Sequence, residues 1–130
     1  MNNRFARWLS LVAISLLAIL LTACSDGSQK AGESNGNETR INIVAKDFSY
    51  SLDTSQTQAG KTTFIVQNNG SVPHDFAIHG NGVEQKTPMI KPGESATLTI
   101  DLEPGTYNYV CTIPGHEQLG MRGTFTVTSN

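Results

Sequence analysis

Tyr107-Asn-Tyr109-Val-Cys111-Thr-Ile-Pro114-Gly115-His116-Glu-Gln-Leu119-Gly120-Met121-Arg-Gly123 is the stretch that decides the reading of this chain. Tyr107, Tyr109 and Cys111 alternate, so they share one face of a strand that ends at the cysteine. Pro114-Gly115 bends the chain after it, and Gly120 supplies a second bend. A thiol, an imidazole and a thioether are thereby gathered on one short loop. A second imidazole stands far upstream at His74, with His79 as its competitor. Two nitrogens, one thiolate and a weak thioether suit a copper ion that alternates between Cu(I) and Cu(II).

Outward from this loop, no segment has sustained helical periodicity. Short β-rich runs recur between turn residues. Ile41–Lys46 alternates as an opening strand, and Phe48–Leu52 continues it or forms the next. Thr62–Gln67, His74–His79, Thr97–Ile100, Tyr107–Cys111 and Gly123–Val127 read as further strands. The segment Gly80–Ile90 fits a loop, an irregular edge strand or one turn of helix. Seven to eight short strands at this spacing, with Gly/Pro turns between them, predict an all-β, Greek-key β-sandwich. On a regular strand His74 and His79 face opposite sides; if Phe76 and Ile78 point inward, His74 shares their side. The upstream ligand is therefore expected to be His74, with His79 in solvent.

The spacing Tyr107-x-Tyr109-x-Cys111-x4-His116-x4-Met121-x-Gly123 resembles the C-terminal signature of the cupredoxins, the small blue copper proteins. Its Pro-Gly-His loop is most similar to sulfocyanin-like and plastocyanin-type members. Val72-Pro73-His74-Asp75-Phe76 is similar to the family's first-histidine segment. The resemblance implies a cupredoxin-like sandwich holding one type-1 copper through His74, Cys111, His116 and an axial Met121. It also implies an exposed ring edge of His116 as the electron port, with Pro114 and Leu119 on an apolar rim. Asp75 departs from the asparagine common at that position. It can accept hydrogen bonds from the cysteine loop but cannot donate them when ionised, and its charge favours Cu(II). Met89 has no such context and reads as packing. One of Tyr107 and Tyr109 is a candidate tyrosine corner.

The N-terminus is an address. Arg4 and Arg7 precede an apolar stretch from Trp8 to Ala23 that ends in Leu21-Thr22-Ala23-Cys24. This order predicts a secretory signal over residues 1–23, and its ending resembles the bacterial lipobox, which implies a lipid on Cys24. The competing reading, an uncleaved membrane anchor, needs about 17 apolar residues and puts the domain on the same side of the membrane. Residues 24–40 hold almost no large apolar side chain and read as a flexible linker with a span of roughly 20 Å. Residues 41–130 form the folded domain.

After the signal, seven basic side chains face eleven acidic ones, a net charge of −4 with no basic patch for nucleic acid. With Cys24 lipidated, Cys111 has no disulfide partner in an oxidising compartment, and a bound metal would occupy its thiol. Three histidines in all are too few for a multicopper oxidase, and no nucleophile–base pair is apparent, so an enzyme is not expected. The expected role is a monomeric electron carrier between redox proteins of cytochrome, oxidase or reductase type. It would work outside the cytoplasm, on the periplasmic or outer face of a bacterial membrane. The alternative is extracytoplasmic copper storage or delivery, disfavoured by only two methionines after the signal, Met89 and Met121. Zinc would leave the thioether without a purpose.

Overall fold

Alternation of apolar and polar side chains builds two facing sheets. The computed structural model describes residues 38–130; the signal over 1–23, Cys24 and most of the linker lie outside the described residues. Among the described residues there are nine strands and no helix. They are β1 (Thr39–Lys46), β2 (Ser49–Leu52), β3 (Gln56–Gln58), β4 (Gly60–Asn68) and β5 (Ala77–Gly80), followed by β6 (Val83–Lys86), β7 (Ser95–Leu102), β8 (Gly105–Val110) and β9 (Arg122–Thr128). One sheet has the order β2-β1-β4-β7 and the other β3-β9-β8-β5-β6. Both are mixed, because β1 runs parallel to β4 and β3 parallel to β9.

Period-two burial explains why these runs are strands. Ile41, Ile43 and Ala45 of β1 are buried while Asn42 and Lys46 are exposed. Phe125 and Val127 do the same on β9. The register Ile41↔Phe64 and Ile43↔Val66 sets these apolar faces side by side. Rings then bridge the sheets: Phe64 of β4 lies 5.3 Å, centroid to centroid, from both Phe76 and Phe125. Such aromatic pairs add roughly 0.5–1.5 kcal/mol beyond their burial.

The strand count exceeds the expected range by one. β3 has only three residues, Gln-Thr-Gln, and no apolar period to announce it; its pairing with β9 makes it a strand. The uncertain segment after Gly80 contributes β6, an edge strand paired with β5. His74 lies just ahead of β5, in an isolated bridge to Ile90. Tyr107 is the tyrosine corner: fully buried, it donates from its hydroxyl to the Glu103 carbonyl at 2.9 Å. That bond pins the turn leading into β8, the strand that carries Cys111. Met89, expected in the core, is 64% exposed.

Tyr107→Phe removes the corner bond without changing the ring's packing. A loss of about 1 kcal/mol is expected, read from urea midpoints with an unchanged slope. No loss would show that the corner contributes nothing.

Candidate metal centre

Three elements converge at one end of the sandwich. The first is the connection from β4 to β5. Asn68, fully buried at the end of β4, donates from its amide nitrogen to the carbonyls of Val72 (2.8 Å) and Ile90 (2.9 Å). Its amide oxygen accepts from Gly70 N–H at 2.8 Å. The chain therefore folds around this one side chain and delivers His74, which is fully buried and paired through its backbone with Ile90 at 3.0 and 2.7 Å.

The second element is the loop from Cys111 to Met121. Gly115 (φ +90°) and Gly120 (φ +121°) adopt left-handed backbone that other residues disfavour. The loop closes on itself: Cys111 N–H donates to the Met121 carbonyl at 2.9 Å, and Met121 N–H to the His116 carbonyl at 3.1 Å. Cys111 and Met121 are buried and His116 is half-buried. The third element is the turn between β1 and β2. Its Phe48 ring packs edge-on to His116 with centroids 4.8 Å apart.

These elements bring Nδ1 of His74 to 3.2 Å from Nδ1 of His116, which lies 3.5 Å from Cys111 Sγ. The three donor atoms all fall within 4.8 Å of one another. Met121 is buried just before β9, with its backbone N–H on the His116 carbonyl. His79 is not part of the cluster; it is exposed on the outer face of the five-stranded sheet, opposite Asn108 and Glu84.

Surrounding groups hold this geometry. Asp75 is 5% exposed and its carboxylate accepts from Thr112 N–H at 2.6 Å and from the Thr112 hydroxyl. It thus ties the residue after His74 to the residue after Cys111, in the way an acceptor-only side chain can. Lys86 of β6 approaches the same carboxylate at 3.7 Å. The Tyr50 hydroxyl donates to the Asp75 carbonyl, linking β2 to the same strand entrance. Burial pushes the Cys111 thiol above its ordinary pKa, so a cation is needed to displace its proton.

Sequence reasoning did not select Asp47, Ser71 or Asn68. Asp47 accepts from His74 Nε2–H at 2.9 Å and from Ser71 N–H (2.8 Å) and hydroxyl (2.5 Å). The Ser71 bonds, with that from His74, hold its carboxyl well below the usual carboxylate range. Its one sequence signal is its place in a turn between two strands. Nothing local ties it to a histidine 27 positions away.

Comparison with known proteins places this geometry. The family model described as a cupredoxin-like domain matches residues 12–127. The chain belongs to the cupredoxin-like family. Over 43 residues this cupredoxin is 54% identical to auracyanin-B of Chloroflexus aurantiacus, a stretch covering 32% of this chain and 18% of that protein. Over 73 residues it is 32% identical to the iron uptake system component EfeO of Escherichia coli (strain K12), covering 55% of this chain and 20% of that protein. The matches thus span about a fifth of either relative. Auracyanin A, a "blue" copper protein from the green thermophilic photosynthetic bacterium Chloroflexus aurantiacus, shares the fold. Its TM-score is 0.58 at 21% identity, over 70% of this chain and 99% of that one.

The residues present fit the type-1 copper that the family implies. Because a carboxylate only accepts, Nε2 of His74 carries a proton toward Asp47, and Nδ1 is the nitrogen that faces His116 and Cys111. Two imidazoles and a buried free thiol then face one another in a donor set that suits copper.

Asn68→Ala removes three hydrogen bonds at the base of the His74 segment. The expected cost is about 2 kcal/mol, a melting-temperature drop of roughly 10 °C for a domain of this size, measured by calorimetry. An unchanged melting temperature would mean the segment is held by something else.

Proposed function

We propose that this chain is a blue copper electron carrier, tethered to a bacterial membrane through a lipid on Cys24 and working outside the cytoplasm between two redox proteins. The observation that carries this reading is the convergence of His74 Nδ1, Cys111 Sγ and His116 Nδ1 within 4.8 Å. Copper, when bound, supplies a centre that accepts and releases one electron. The protein's part is to hold its ligands still, so that little rearrangement accompanies the change of valence. His74, Cys111 and His116 are the strong ligands in this reading, and Met121 is the weak axial one.

The division of labour follows from burial. His74 and Cys111 are closed to solvent, whereas His116 is half-buried in a loop whose Pro114 and Leu119 are exposed, Leu119 at 62%. His116 is therefore the electron port, and the apolar rim beside it lets a partner dock without a fixed charge pattern. Residues 1–23 serve as the signal and 24–40 as the tether, which lets the 41–130 domain turn between donor and acceptor.

Cu(II) added to the full-length protein in detergent should give an intense thiolate-to-copper band in the visible region, with reversible one-electron reduction. Cys111→Ser should abolish the band. Rapid loss of copper to a chelator would favour storage or delivery, and a colourless copper complex would overturn the carrier reading. Asp75→Asn should raise the reduction potential, because a buried negative charge beside the site favours Cu(II); an unchanged or lower value would contradict that effect of Asp75.

A further inference from the structure

The turn between β1 and β2 carries a feature that the ligand set does not account for. Asp47 Oδ1 sits 2.9 Å from Nε2 of His74, on the side of the ring away from Cys111. The other carboxylate oxygen is held by both the backbone N–H and the hydroxyl of Ser71. Gly70 completes the arrangement: a Cβ there would land on Asp47 Oδ1 and come within 2.9 Å of His74 Nε2. The connection from β4 to β5 is therefore shaped so that a carboxylate from the opposite sheet can reach the buried imidazole.

We infer that Asp47 is a positioning residue that fixes the tautomer and plane of His74 and biases the bound copper toward its oxidised state. The inference rests on the carrier reading for its redox half and on the metal-free geometry for its positioning half. An ionised carboxylate has no proton to give, so the ring must donate from Nε2, and in the neutral ring Nδ1 is then the nitrogen left to act as a ligand. A carboxylate on the outer nitrogen of a ligating histidine also raises the ring's basicity. A more basic ring, with a negative charge behind it, stabilises the more highly charged Cu(II) over Cu(I). Ser71 keeps the carboxylate from rotating away, and the side chain is only 27% exposed, so water screens it in part.

This device differs from the Asp75 network. Asp75 ties backbone to backbone and has Lys86 beside it at 3.7 Å. Among the described residues, the Asp47 carboxylate is bonded by His74, Ser71 and the Val72 backbone, with no lysine or arginine in ion-pair contact with it.

Two variants of the full-length protein in detergent separate the halves. In 15N-labelled, metal-free protein, wild type should show His74 as the Nε2–H tautomer, because the carboxylate offers only acceptor oxygens. Asp47→Leu should lose that preference. An Nδ1–H tautomer in wild type, or no change with leucine, overturns the positioning half whether or not copper binds. In protein loaded with copper sulfate, Asp47→Asn should weaken the preference for Cu(II) over Cu(I) about tenfold, a rise in reduction potential of about 59 mV for a one-electron couple. An unchanged or lower potential overturns the redox half while leaving the carrier reading intact. A wild-type protein with no thiolate band overturns the carrier reading and the redox half together, and the tautomer result then stands alone.

Discussion

The hydrogen bond between His74 and Asp47 joins two parts of the sandwich that share no strand pairing. Asp47 belongs to the turn of the four-stranded sheet, and His74 leads into β5 of the five-stranded one. The Tyr50 hydroxyl on the Asp75 carbonyl makes a second such link, from β2 to the same strand entrance. With Asn68 folded under the intervening segment, the backbone on either side of His74 is tied down as well as its ring. A redox centre needs this, because any ligand motion on change of valence slows electron transfer. The remainder of the sandwich can be seen as the support that keeps these cross-sheet bonds in place.

The cysteine loop is constrained differently. It returns to its own start through the Cys111–Met121 backbone bond and is fastened to the His74 strand through Thr112 and Asp75. Two of its glycines take conformations that other residues avoid. Its tip nonetheless remains at the surface, where His116 is half-buried and Leu119 exposed. Rigidity behind the site and access in front of it are thus built from separate segments. A carrier requires both properties, whereas a delivery protein is better served by a ligand that can leave.

Much of this was legible in the sequence where the signal is local. The alternation of Ile41, Ile43 and Ala45, or of Phe125 and Val127, announces strands because side chains on a pleated chain change face at every residue. The same argument picks His74 over His79, although His74 stands ahead of β5 and His74, Asp75 and Phe76 are all buried, so the alternation it assumes does not extend that far. The spacing of Cys111, His116 and Met121 exposes the ligand loop because its bends lie between them. What stayed hidden is non-local. β3 is a strand only because β9 offers it a free edge. Asp47, Ser71 and Asn68 look like ordinary turn residues, and their roles exist only once the two sheets are stacked. Met89 read as packing because hydrophobicity alone does not tell which face of a loop meets solvent.

The fold holds three donors together before any ion arrives. Crystal structures of the metal-free and copper-loaded protein are the decisive comparison. One copper ion should be bound by His74 Nδ1, Cys111 Sγ and His116 Nδ1, with His74 and its bond to Asp47 unmoved between the two states. A copper ion seated elsewhere, or an imidazole of His74 that swings out of the interior to reach it, would mean that the site is assembled by the metal and not by the fold.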